Sequence, residues 1–258
     1  MSETTEDNGQ PAKRGLQNRH VQLIAIGGTI GTGLFMGAGN SIHYAGPAIL
    51  LVYLTIGLFM FVMMRAVGEL LYADPTQHTF ITFITRYIGN RTGFFARWSY
   101  WLTIVFMGMA ELTAVAKYIQ YWLPGMPSWL IQIIMLVVLT SVNLVAVALY
   151  GETEFWFAMI KIVAILALIV TGIIMALTGF KTPVGDVAFS NVWQHLSLFP
   201  NGVGNFINAF QMVMFAFVGM EFIGMTTAET DNPRAVLPKA INQIPWRILF
   251  FYLGALFI

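Results

Sequence analysis

From Val21 onward the chain is a succession of apolar runs separated by short polar or turn-forming segments. The runs fall at about 21–43, 47–71, 97–123, 128–149, 155–178 and 203–228, and a last one begins near Pro245 and reaches Ile258. A helix needs about 20 apolar residues to cross a hydrocarbon core of about 30 Å, so the pattern predicts six full membrane spans and part of a seventh. Turns are marked by Ala45-Gly46-Pro47, by Leu123-Pro124-Gly125-Met126-Pro127 and by the longer segment 179–202. The expected fold class is an all-α polytopic membrane protein. Residues 1–18 are polar, mixed in charge and without an apolar core, which predicts a disordered tail rather than a signal peptide. The final run is short for a span and has no polar end, which reads as a fragment of a longer membrane protein.

Composition agrees: 57% of the chain is hydrophobic and 10% charged, against about 45–50% and 25% in soluble domains. A net charge of +1 with no basic cluster beyond Lys13-Arg14 offers nothing to nucleic acid. With no cysteine there is no disulfide framework, thiolate metal site or thiol nucleophile. The four histidines are scattered without ligand spacing, and no phosphate loop, nucleophile elbow or cofactor fingerprint is present, so neither an enzyme nor a cofactor is expected. Charge distribution gives orientation. Lys13, Arg14, Arg19, Arg65, Arg86, Arg91, Arg97, Arg234, Lys239 and Arg247 fall on one side of the span pattern, and Lys117 and Lys181 on the other. By the positive-inside rule the amino terminus is cytoplasmic. Trp98, Trp101, Tyr121, Trp122, Trp129 and Trp246 mark the interfaces.

Two spans contain residues that weaken a helix. In the first, Ile26-Gly27-Gly28-Thr29-Ile30-Gly31-Thr32-Gly33-Leu34-Phe35-Met36-Gly37-Ala38-Gly39 holds six glycines in fourteen residues. Two readings follow. Gly27/Gly31 and Gly33/Gly37 make small-residue pairs that let helices pack closely; alternatively the helix breaks at mid-membrane and presents backbone amides and carbonyls to a ligand. The sixth span has a similar interruption at Phe215-Ala216-Phe217-Val218-Gly219-Met220-Glu221. Interruptions in the first and sixth spans point to a transporter of inverted five-helix repeats. Glu111, Lys161 and Glu221 lie inside the third, fifth and sixth spans. Intramembrane charge is costly, so each is a functional candidate, with a structural acid bonded to a neighbouring helix as the alternative for the two glutamates. An ammonium group withdrawn from water loses its proton more readily, which suits proton coupling at Lys161.

The run Gly27-Gly28-Thr29-Ile30-Gly31-Thr32-Gly33-Leu34-Phe35 resembles the amino acid–polyamine–organocation superfamily, and the likeness extends from about Leu16 to the last residue. Gly46-Pro47 with Gly68-Glu69 and Pro75 resembles the amino acid permease signature. Met109 to Val115, Phe155 to Lys161 and Thr226 to Pro233 resemble its bacterial amino acid transporter branch, which includes aromatic amino acid permeases and D-alanine/D-serine/glycine permeases. The resemblance implies the five-plus-five inverted-repeat fold, with residues 19–258 forming the first repeat, the sixth helix and the start of the seventh. It implies an amino acid permease in the plasma membrane, a secondary active transporter and proton symporter. Its partners are an amino acid, protons and the bilayer. The substrate carboxylate would meet amides around Gly31, Thr32 and Gly33, and the ammonium group carbonyls near Thr29, Phe215 and Val218. Phe215 would cover the substrate with its ring. Lys161 would replace the ion of sodium-driven relatives, Glu221 would serve proton or gating steps, and Glu111 would join them in an unassigned role. The stretch from Ala110 to Gln120 resembles aromatic amino acid permeases, whereas Phe215 to Glu221 and Thr226 to Thr230 resemble the small-neutral type. Substrate side chain, stereochemistry and oligomeric state therefore stay open. The alternative to a working permease is a truncated remnant of one that does not transport.

Overall fold

The computed structural model describes residues 30–74, 77, 79–145, 150–183, 185–194, 199–221 and 233–258. The expected tail and Thr29 lie outside the described residues. The element order is almost entirely helical. The first span leaves extended backbone at Gly31 (φ −135°, ψ −165°) and starts the short helix α1, Thr32–Phe35; after a turn at Met36 it continues as α2, Gly37–Ala45. Gly46 then takes φ +56°, and Gly46–Ala48 forms a 3-10 turn into α3, Ile49–Ala73. A side chain at Gly46 would be strained by this φ and would also press on Pro200, whose Cγ lies 2.9 Å from a would-be Cβ.

The next elements differ from the sequence reading, which left 72–96 between spans and began the third run near residue 97. Instead Phe80–Tyr87 forms a helix, α4, and α5 runs from Asn90 to Trp122. Local capping and packing explain the difference. The Thr79 hydroxyl accepts the Ile81 amide at 3.3 Å, Ile81 and Phe83 are buried, and Gly93 lets the start of α5 lie directly against Thr85. Arg86 closes the loop onto Asp74 at 3.2 Å. The helix is amphipathic, with Ile81 and Phe83 buried and Arg86 and Tyr87 exposed, and its eight residues are too few to register as a membrane-length run.

Then come α6, Ser128–Val145, and α7, Tyr150–Thr178; a two-residue antiparallel hairpin, β1 Lys181–Thr182 with β2 Gly185–Asp186; and the turn helix α8, Asn191–Gln194. Helix α9 covers Gly202–Ala216 and stops there, so the sixth run is not one continuous helix. The last apolar run is preceded by α10, Pro233–Asn242, and continues through α11, Ile244–Arg247, a π-wound segment Ile248–Leu253 and α12, Gly254–Phe257. Among the described residues the stretches long and apolar enough to cross a membrane are Gly37–Ala73 (interrupted at Gly46), Asn90–Trp122 and Phe155–Thr178, with Ser128–Leu144 shorter. Many outward side chains on them are large and apolar, such as Phe106, Val137, Leu166 and Leu168. Water would not tolerate such a surface, whereas lipid or another helix would.

The core lies where α2, α3, α9 and the last helical run meet. Val52, Tyr53, Ala209, Val213, Ala216, Phe217, Met220, Ile244 and Tyr252 are buried there. Asn201 adds a tether from the start of α9 to the end of α2, its side-chain amide donating to the His43 carbonyl at 2.5 Å. The two interrupted spans are therefore held against each other along their length.

Candidate substrate site

Glycine at position 33 brings the two interruptions into contact. A Cβ built there would run into the backbone of Ala216, 2.7 Å from its amide nitrogen and 3.0 Å from its Cβ. Close packing and interruption, which the sequence left as alternatives, occur together at this point. On the first span, the Leu34 amide turns back to the Gly31 carbonyl at 3.1 Å, and no side chain caps the start of α1. A helix start without a cap leaves its first amides available. On the sixth span, α9 ends at Ala216 and the chain turns through 217–221, where Gly219 takes φ +99°. The Phe217 amide bonds the Met214 carbonyl and the Val218 amide the Phe215 carbonyl, so the helix is replaced by tight turns.

A cavity of about 370 Å³ opens at this junction. It is lined by Gly31, Thr32 and Gly33 from the first span, Phe215, Ala216, Val218 and Gly219 from the sixth, Glu111 and Tyr118 from α5 and Lys161 from α7. Seven of the nine residues singled out in the sequence thus share one cavity: Gly31, Thr32, Gly33, Glu111, Lys161, Phe215 and Val218. Thr29 lies outside the described residues. Glu221 does not line this cavity; its carboxylate accepts the Gly219 amide at 3.0 Å, and Tyr100 of α5 faces it. The acid therefore braces the turn that forms one wall. A second cavity of about 450 Å³ adjoins the first and is lined by Met36, Asn40, Ala114, Gln211 and, again, Thr32, Gly33 and Phe215. Phe215 and the first-span glycine segment stand between the two spaces.

Glu111 is placed most tightly. Its Oε1 accepts the Thr32 hydroxyl at 2.9 Å and lies 3.5 Å from where a Cβ would stand on Gly31. A carboxyl group thus already occupies the backbone segment expected to receive the substrate carboxylate. Lys161 lines the same cavity and is half-buried. Among the described residues no cluster of three or more His, Cys, Asp or Glu could hold a metal.

Sequence reasoning missed Tyr118 and Tyr252. Tyr118 follows Glu111 by seven residues, two helical turns along the same face, so periodicity could have found it. Tyr252 bonds the Ala216 carbonyl across 36 positions, at 3.0 Å. No local pattern signals such a pair.

The family described as Amino acid permease matches residues 20–258. Over 247 residues the chain is 58% identical to the DL-alanine permease SerP2 of Lactococcus lactis subsp. cremoris, which covers 96% of this chain and 54% of that protein. It is 47% identical over 250 residues to the D-serine/D-alanine/glycine transporter of Escherichia coli K12, with 96% of this chain and 53% of the relative covered. It is 44% identical over 251 residues to the aromatic amino acid transport protein AroP of Escherichia coli O6:H1, covering 97% and 55%. No solved structure matches. The chain spans about half the length of the curated relatives it matches. With its membrane-length helices, its two interrupted spans and a family match over nearly all its length, the chain belongs to the amino acid permease family.

Proposed function

We propose that the protein carries a small neutral amino acid of the alanine or serine class across the plasma membrane together with protons, with its amino terminus in the cytoplasm. The observation that carries this reading is the cavity where the first-span segment 31–33 meets the end of α9, with Lys161 and Glu111 in its lining. In this reading the substrate carboxylate lies against Gly31, Thr32 and Gly33, its ammonium group meets carbonyls of Thr29, Phe215 and Val218, and the Phe215 ring closes the side toward Asn40 and Gln211. Three features support the substrate class: the identity to the DL-alanine permease exceeds that to AroP, and both a D-serine/D-alanine/glycine transporter and a serine permease are close in sequence. Lys161, Glu111 and Glu221 supply the ionisable groups for coupling, Glu221 by holding the turn at Gly219.

Uptake of labelled alanine, serine and phenylalanine into proteoliposomes with an imposed pH gradient tests the reading. Saturable uphill uptake of alanine or serine, acid side to alkaline side, is expected. Replacing Lys161 by Ala is expected to abolish gradient-driven accumulation, a loss of more than about tenfold, which corresponds to roughly 1.4 kcal/mol of transition-state stabilisation. Unchanged accumulation would remove Lys161 from the coupling. Saturable binding of alanine with no uphill uptake would instead be the signature of a chain that binds an amino acid without carrying it.

A further inference from the structure

Ending a helix inside a membrane protein exposes carbonyls that need new donors. At the end of α9 the Ala216 carbonyl finds one in the Tyr252 hydroxyl, at 3.0 Å and fully buried. The Tyr252 ring also stacks on Phe217, the residue after the break, with centroids 4.8 Å apart and planes 10° from parallel. Tyr252 belongs to the π-wound segment Ile248–Leu253, a winding that recurs at functional sites. On its other side Ala216 abuts Gly33 of the first span. The residue between Phe215 and Phe217 is thus clamped from both sides. One side is the substrate cavity, and the other is a tyrosine that lines none of it.

We propose that Tyr252 is a positioning residue for the substrate site: its hydroxyl holds the Ala216 carbonyl, and the ring holds Phe217, so that the neighbouring Phe215 and Val218, which line the cavity, keep their places in its wall. This inference rests on the proposed substrate site but adds a residue of the last helical run to it. It also makes that run a lever, because any movement of Ile248–Leu253 relative to α9 must stretch or break this bond. The fold supplies an internal control. Tyr53 of α3 sits in the same buried trio, its ring 5.8 Å from Tyr252 and 5.9 Å from Phe217, yet among the described residues its hydroxyl has no hydrogen-bond partner.

The test compares Tyr252→Phe with Tyr53→Phe in the otherwise unchanged protein in lipid. Each removes one oxygen from the same aromatic cluster. In alanine uptake, Tyr252→Phe is expected to raise KM about tenfold with kcat within about twofold, whereas Tyr53→Phe leaves both within about twofold. In hydrogen exchange without substrate, Tyr252→Phe is expected to speed the amides of Phe217 to Met220 and leave those of α3 unchanged. A KM unaltered by Tyr252→Phe, or the same change from both variants, overturns the positioning role. The exchange arm requires no transport. If the unaltered protein takes up no alanine, the proposed substrate fails, and exchange at Phe217 to Met220 alone decides for or against Tyr252.

Discussion

Gly33→Val is expected to eliminate amino acid binding while most of the helical content survives. The reason is the backbone contact between the two interrupted spans. Any Cβ at position 33 meets the main chain of Ala216, 2.7 Å from its nitrogen, and backbone in a buried helix end cannot step aside as a flexible side chain can. Overpacking a buried site costs about 1–3 kcal/mol, and here relief requires moving Ala216 away from the first span. That movement displaces Phe215 and Val218 on either side of it and opens the cavity they line. Gly33→Ala carries the same clash with fewer atoms and is expected to weaken alanine binding by more than about tenfold, or roughly 1.4 kcal/mol. Calorimetric titration of the protein in nanodiscs gives the answer. Binding of Gly33→Val within about twofold of the unaltered protein would show that segment 31–33 does not form the site.

Glu111→Ala is expected to weaken alanine binding by about tenfold, and Glu111→Gln to leave it within about twofold. The Glu111 carboxyl group accepts the Thr32 hydroxyl at 2.9 Å and lies over Gly31, so it holds the backbone segment that receives the proposed substrate carboxylate. Removing one partner of a buried hydrogen bond costs about 1–3 kcal/mol, and here the group left without its acceptor belongs to the cavity lining. Glutamine keeps an acceptor for Thr32 and removes the ionisable group. That variant is expected to lose uphill accumulation while it still binds and exchanges alanine. Equal loss of binding in both variants would show that Glu111 acts by its charge rather than by holding Thr32, and full uphill accumulation by Glu111→Gln would remove Glu111 from the coupling.

These residues were legible in unequal degree. The cost of burying charge singled out Glu111, Lys161 and Glu221 without any structure, because a bilayer penalises an intramembrane charge wherever the chain places it. Glycine density in the first span and the Gly219 interruption in the sixth were equally visible, since both concern local backbone preference. Local pattern could not separate Glu221 from the other two. All three are single charges in apolar runs, yet only Glu111 and Lys161 line the cavity, and Glu221 turns back to the Gly219 amide. Helix α4 escaped the same approach because of its length. Its eight residues, Phe80–Tyr87, are too few to cross a bilayer, so a search for membrane-length apolar runs passes over them.

By itself the sequence determined that this chain spans a membrane, where its apolar runs fall, where the first and sixth carry residues that weaken a helix and, through resemblance, its family. These follow from hydrophobicity, glycine content and motif spacing, which are properties of contiguous residues. Only the tertiary structure decided that Gly33 touches Ala216, that Glu111 reaches Thr32 across 79 positions, and that Tyr252 holds the end of α9 from 36 positions away. The physical reason is that such contacts depend on how helices cross and rotate. Packing of whole faces sets that rotation, and no single residue's preference encodes it.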